Sequence, residues 1–473
     1  MQRRAKMTEQ VTKLFSLSAD GPEMAAALRL LVGFQQELKT GHIAPKWSLE
    51  ETRRAIEQLD LSAPVGTEAA LGETSHLMEN GDLLSASARC FGYFNPTAAG
   101  PAILGDLLAA ARNPQLAVIS HAPASALIER RVLGFLCEQA GWPATSGGHF
   151  TSGGSEANAT ALQLALNRAN ADYGQLGIAA FDGPPVLYAS ADSHLAWIKI
   201  ARSAGLGTDA VRLVPAEVGR MQIPELCSMI EMDAKAGRIA VMIAATAGTT
   251  NAGEIDPLSE CAEIAAQFDV HFHVDAAWAG ALILDPSRRS LLSGIDRADS
   301  LTIDAHKWMS APMGAGIIMI RQPELAGQSY SVATGYMPAG DGQDPYITTN
   351  QWSRRFIGIR LWMMLRSIGI EGYQKLFDHH FAMAALLREK LTAAGWTLHN
   401  HTGLPVILFS DPGDNLDSQK IADRIEQRGK VWLGRVDFDG KSCLRACLTS
   451  YLTGPEDIDL LLAELSLVHE ELR

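Results

Sequence analysis

The feature that most constrains the fold is a series of short, nearly uninterrupted apolar runs separated by helical stretches in the middle of the chain. PVLYAS (185–190), IAVMIAAT (239–246), VHFHVD (270–275), SLTID (300–304) and GAGIIMI (314–320) have the length and apolar character of strands. Between them lie helical stretches at 156–169, behind a glycine turn, at 195–204 and at 257–268, where Pro257 suits a first helical turn. Strands that are apolar throughout bury both faces, so the βαβ alternation predicts an α/β fold with a mostly parallel sheet covered by helices. Polar residues gather at the carboxyl ends of these strands, where open α/β sheets take ligands.

The 473 residues are 47% hydrophobic and 20% charged, enough to bury a large core, which excludes a disordered or fibrous chain. Residues 1–95 read as an N-terminal helical extension, 96–369 as a large domain and 370–473 as a small C-terminal domain. The last unit runs helix, strand (LPVILFS), helix (SQKIADRIEQRG), strand (SCLRACL) and a final helix. There are 53 acidic against 40 basic residues, a net charge of −13, with no basic stripe, so nucleic acid is not an expected partner. Uncharged stretches such as 308–320 are too short to span a bilayer, and nothing after MQRRAKM has the apolar run of a signal peptide. The expectation is a cytoplasmic protein without a membrane partner. The six cysteines contain no CxxC pair, so a metal site is not expected, and a cytoplasmic compartment gives no expectation of a disulfide. Cys443 and Cys447 read as small apolar residues of a C-terminal strand.

Three segments carry candidate chemistry. In TSGGSEANATAL, Gly153 and Gly154 precede a helix that starts near Ser155, and free amides at a helix start attract an anion. The same pattern is also plain helix initiation. In HVDAAWAG, Asp275 ends an apolar strand, where a carboxylate is costly unless a cation or strong donor meets it, although an aspartate also caps turns. In SLTIDAHKWMSAPMGAG, Lys307 follows Asp304 and His306 among apolar residues, which makes it a candidate Schiff-base amine or, on the plainer reading, an exposed loop lysine. An anion cradle, an acid at a strand end and a lysine 32 residues later, in that order, are the parts pyridoxal 5′-phosphate requires.

The segments FGYFNPTAAGPAILGDLL, TSGGSEANATAL, SADSHLAWIKIARSAG, TAGTTNAGEIDPL, HVDAAWAGALI, DAHKW and WSRRFIGIRLWMMLRSIG resemble the group II pyridoxal-phosphate decarboxylases. This family acts on aromatic amino acids, histidine, glutamate and cysteine sulfinate. The resemblance runs from about residue 70 to the C-terminus. It implies PLP fold type I: a seven-stranded, mostly parallel sheet, a small C-terminal domain, and a homodimer with the active site at the subunit interface. It also implies roles for individual residues. Lys307 matches the lysine that bonds the cofactor, His194 the histidine that stacks on its ring, Asp275 the acid paired with the ring nitrogen, and Ala277 the small residue against the ring. Gly153, Gly154, Ser155, Thr250, Asp304, His306 and, from the partner, Ser353 match positions around phosphate or cofactor. Tyr336 matches the loop tyrosine that protonates the substrate carbon after CO2 leaves, with Tyr330 as a competitor in the same segment.

The sequence departs from the family at Asp304 and Ala305, where many relatives have Asn and Pro. An aspartate beside a phosphate dianion is unfavourable unless it is turned away or hydrogen-bonded. Tyr93 falls where the family places a substrate-pocket aromatic. Phe94, Phe91 and Trp197 are either pocket or core, and Arg354 and Arg355 are candidates to bind a second carboxylate. The implied activity is decarboxylation of an L-amino acid to its amine and CO2, with aromatic substrates expected first. Acidic amino acids, or an oxidative aldehyde synthase of the same family, are the alternatives.

Overall fold

The computed structural model describes residues 2–18, 20–332, 344–413 and 415–473. Strands β1 (Gly147–Thr151), β2 (Pro185–Ser190), β3 (Val211–Val214), β4 (Ile239–Thr246), β5 (His271–Asp275), β6 (Ser300–Asp304) and β7 (Gly316–Ile320) form one sheet, ordered β1-β7-β6-β5-β4-β2-β3. Neighbours from β6 to β3 pair in parallel, and β7 runs antiparallel to both β6 and β1. The reason is local: a turn rather than a crossover helix joins β6 to β7, and such a connection returns the chain antiparallel.

Three of the expected strands match residue for residue, whereas β5 and β7 begin at His271 and Gly316, slightly later than read. Strands β1 and β3 were not expected. GGHFT opens on two glycines and VRLV is short and carries an arginine, so neither has a strong strand signature. Pro257 stands at the N-cap of the helix Leu258–Phe268, one position before the first turn.

Alternation along each strand divides the sheet's burial between two layers. Ile243, Phe272, Val274, Leu301, Ile303 and Ile317 point into one apolar core. Leu187, Ala189, Met242, Ala244 and Ile318 point into the other, under the helix Gly154–Ala169, which contributes Ala157, Ala161, Leu162 and Ala165. Each fully buried side chain of this size contributes about 1.5–3 kcal/mol of transfer free energy.

A second, antiparallel sheet orders Thr397–Leu398, Val406–Ser410, Lys441–Cys447 and Gly434–Phe438, with the helices Ser418–Arg428 and Pro455–Leu472 alongside. Cys443 and Cys447 are buried in this sheet. The long helix Gly369–Ala393 joins the two bodies, with Tyr373 and Phe377 in the large core and Leu387 and Leu391 in the small one. Before the large sheet the chain is helical, from Gln2–Phe15 to Thr67–Gly81. No helix among the described residues is long and apolar enough to cross a membrane.

Candidate active site

The carboxyl ends of β4, β5 and β6 place Thr246, Asp275 and Asp304 around one cavity of ≈ 340 Å³. Thr246 and Asp275 are register partners on adjacent parallel strands, so they stand side by side. Gly153, Gly154 and Ser155 line the cavity from the start of the helix Gly154–Ala169, whose unbonded amides and positive dipole end suit an anion. A Cβ built on Gly154 would lie 2.9 Å from Asp304 Oδ2 and 3.4 Å from Ala277 Cβ, so glycine lets this backbone seat beside both.

Asp275 is 5% exposed. Its Oδ2 accepts a 2.7 Å hydrogen bond from Asn158 Nδ2, and its Oδ1 accepts from the Ala277 N–H at 3.1 Å. Lys307 Nζ lies 3.1 Å from Asp304 Oδ2, and His306 Nε2 lies 3.7 Å from the same oxygen. The aspartate that departs from the family pattern is thus turned toward the lysine. Burial pushes His306 toward its neutral form, and its Nδ1 accepts from the Ala315 N–H at 3.2 Å. His194 lines the cavity just before the helix Ala196–Ser203, where its Nδ1 accepts from the Ala196 N–H at 3.1 Å. In the neutral ring the proton then sits on Nε2.

Phe94 and Trp278 form an aromatic wall, with ring centroids 4.6 Å apart, and Trp278 stacks on Trp308 at 5.0 Å. Gly248, at φ +91°, admits the Trp278 ring: a Cβ there would meet it at 2.7 Å. Thr250 lines the same cavity, and its carbonyl accepts from Arg445 Nη1.

Several expected pocket residues lie elsewhere. Phe91 and Trp197 are both 1% exposed and belong to apolar cores, so of the two readings left open for each, the core reading holds. Tyr93 is 42% exposed and stacks on Trp432 at 4.7 Å rather than lining its own chain's cavity. Arg354 is buried against Glu129 at 3.3 Å, and Arg355 pairs with Asp106 at 2.8 Å. Neither lines the cavity, and each has a carboxylate partner elsewhere. Ser353 is exposed and outside this chain's cavity. Tyr330 is not in a loop: it ends the helix Glu324–Tyr330, bonds Thr160, and burial pushes its phenol up to about 12. Tyr336 lies outside the described residues.

Sequence reasoning missed Asn158, Thr246, Gly248 and Trp278. Thr246 had a signal, since it is the polar end of an apolar run, as Asp275 is.

The cavity fits pyridoxal 5′-phosphate on its own chemistry. Among the described residues, Thr246 Oγ1 and Trp278 Nε1 are buried without a hydrogen-bond partner, and both can donate to a polar ligand in the cavity. A larger cavity of ≈ 590 Å³ beside β1 is lined by Glu129, His149 and Arg354 among others, but Glu129 and Arg354 are bonded to each other and no lysine lines it.

The comparisons with known proteins agree with this chemistry. The family described as "Pyridoxal-dependent decarboxylase conserved domain" matches residues 54–410. An L-2,4-diaminobutyrate decarboxylase of Rhizobium meliloti is 34% identical over 74% of this chain and 71% of its own length. The mouse (Mus musculus) cysteine sulfinic acid decarboxylase is 29% identical, over 78% and 80%. Among solved structures, apo mouse CSAD superposes with a TM-score of 0.88 at 25% identity, covering 94% of this chain and 98% of that one. The structure of Oryza sativa TDC with PLP and tryptamine gives 0.90 at 21% identity, covering 97% and 100%, a likeness of fold.

Proposed function

The chain belongs to the pyridoxal-dependent decarboxylases, and from that premise we propose that its substrate is an aromatic L-amino acid, converted to the amine and CO2. The reaction class follows from the family: it is a pyridoxal-phosphate-dependent amino acid carboxy-lyase. The observation behind the substrate choice is the aromatic wall of Phe94 and Trp278, together with the pairing of Arg354 and Arg355 to internal carboxylates. A second carboxylate on the substrate then has neither arginine free in this chain. The 34% identity to a diaminobutyrate decarboxylase favours a diamino acid as the second reading.

Pyridoxal 5′-phosphate supplies an aldehyde that bonds amines and a ring that, protonated at nitrogen, draws electrons from the bond to the departing carboxylate. In this reading Lys307 binds the aldehyde carbon, and the amides of Gly153, Gly154 and Ser155 bind the phosphate with Thr250 and His306 nearby. Asp275 holds a proton at the ring nitrogen, a charge-assisted contact about twice as strong as a neutral one. Ala277 leaves room for the ring. His194 presents Nε2–H to the cavity as a cover and proton carrier. Tyr336 is the proposed donor of the proton that replaces the carboxylate.

We also infer a homodimer in which Ser353 and Tyr93 serve the partner's cavity. The helix Pro22–Thr40 exposes Leu28, Leu31 and Val32, and Gly100–Arg112 exposes Leu104, Leu107 and Leu108, apolar rows of the kind a second copy covers.

The test is to incubate the cofactor-loaded protein with a panel of L-amino acids while recording CO2, amine and peroxide. Amine equal to CO2, greatest with aromatic substrates and absent in Lys307→Ala, is expected. Turnover only with diaminobutyrate or an acidic amino acid overturns the substrate choice, and aldehyde with peroxide moves the chain to oxidative chemistry.

A further inference from the structure

Strand β5 is an apolar run with polar residues at every second position: His271, His273 and Asp275 share the face that Phe272 and Val274 avoid. That face lies under the helix Gly154–Ala169 and beside Ser300 of β6, the register partner of His273. Both imidazoles are fully buried, and burial drives His271 down to about 4 and His273 down as well, so both rings are neutral.

The hydrogen bonds then have a single direction. A carboxylate only accepts, so Asn158 Nδ2 donates to Asp275 and Asn158 Oδ1 is left to accept from His273 Nε2 at 3.1 Å. His273 Nδ1 is therefore an acceptor, which takes the Ser300 hydroxyl proton at 2.8 Å. The Ser300 oxygen in turn accepts from His271 Nε2 at 2.8 Å. His271 Nδ1 ends the row: its nearest acid, Asp299, is 4.0 Å away, beyond hydrogen-bond reach, and Arg168 also faces this end while paired to Asp269. Four consecutive bonds thus point their donors toward Asp275, through a layer without solvent, where aligned dipoles reinforce one another.

We infer that Asn158, His273, Ser300 and His271 are positioning residues that hold the negative charge on Asp275, and so keep the proton on the cofactor's ring nitrogen instead of on the carboxylate. This rests on the reading that Asp275 faces that nitrogen. No member of the row except Asn158 lines the cavity, so its action on the reaction passes through Asp275.

The experiment loads wild type and variants with pyridoxal phosphate labelled with 15N at the ring nitrogen and records the nitrogen chemical shift together with kcat and KM. Ser300→Ala removes one oxygen from the middle of the row, and His273→Leu removes a donor and an acceptor. His273→Gln keeps both functions. The expected result is a wild-type signal of a protonated ring that moves toward the unprotonated position in Ser300→Ala and further in His273→Leu, with kcat reduced and KM little changed. His273→Gln should stay near wild type. A wild-type signal retained by Ser300→Ala and His273→Leu, both fully loaded, overturns the row's role while leaving Asp275 in place. An unprotonated ring already in wild type, or a protonated one in Asp275→Asn, overturns the reading of Asp275 and the row with it. Should His273→Leu fail to fold, Ser300→Ala and His271→Phe, a break at the far end, decide the matter alone.

Discussion

Replacing Asp304 by asparagine should tighten cofactor binding, although the residue lies inside the cofactor's cavity. In the structure its carboxylate holds Lys307 Nζ at 3.1 Å and sits against the start of the cradle helix, 2.9 Å from where a Gly154 Cβ would be. Capture of pyridoxal phosphate must draw the lysine away from this partner and bring a phosphate anion toward a carboxylate of like charge. Both steps run against Asp304. At this separation the attraction in an effective dielectric of about 20 is ~5 kcal/mol before desolvation. Hydrogen bonds between charged groups measure about 1.5–3 kcal/mol net. The Lys307 side chain is 24% exposed, which favours the lower end, and asparagine keeps an oxygen that accepts from Nζ. The loss on substitution is then about 1–2 kcal/mol, or roughly five- to thirtyfold in affinity. Titration of the cofactor-free protein, followed by quenching of tryptophan fluorescence, reads this directly because Trp278 lines the cavity. A dissociation constant that falls by such a factor in Asp304→Asn is expected. A constant that rises fivefold or more would falsify the argument and assign Asp304 a favourable contact with the bound phosphate.

Four buried histidines, His149 (about 3), His271 (about 4), His273 (lowered) and His380 (about 3), are held neutral by burial. A histidine whose folded value is depressed contributes stability that is complete above the unfolded value near 6.5 and is lost as pH falls toward the folded one. Their joint slope reaches at most about 5 kcal/mol per pH unit between pH 6 and 4. Denaturation midpoints at pH 5 and 7 should differ accordingly, with a shallower dependence in His380→Gln, and equal midpoints would sink the idea. Arg354→Met should cost about 3–5 kcal/mol, because it removes the cation paired with buried Glu129 and leaves its carboxylate to the backbone N–H groups of Gly358 and Ile357. Urea denaturation checks this, and adding Glu129→Gln should restore part of the loss, whereas an unchanged midpoint in the single variant refutes it.

The residues that were legible in the sequence share one property. Asp275 and Asp304 end strands whose period of two and apolar run fix both their depth and the end of the sheet they face, and Thr246, which was missed, ends its strand in the same way. A polar residue at such an end has few places to go. Lys307 follows β6 by three residues and inherits its position from that strand. The aromatic residues had no such guide: Phe94 reaches the cavity while Phe91 and Trp197 fill cores, because aromatic character does not say which side of an element a ring takes. The arginines were misleading for another reason. The partner of Arg355 is Asp106 and that of Arg354 is Glu129, both on helices far back along the chain, and only the closed fold brings them together.

The row behind Asp275 stands between these cases. HFHVD shows two histidines at alternate positions of a strand otherwise too apolar to face water, and a polar group in such a place must be hydrogen-bonded. That much was available from spacing alone. Its partners were not, since Ser300 meets His273 through the register of β5 against β6, and Asn158 meets both His273 and Asp275 only once the helix Gly154–Ala169 lies across the sheet. The same helix therefore does two things to the site: its first turn offers amides to an anion, and its second turn delivers the amide that ties Asp275 to the buried row. A change that shifts this helix along the sheet should thus disturb phosphate binding and ring protonation together, whereas Ser300→Ala should disturb the second alone.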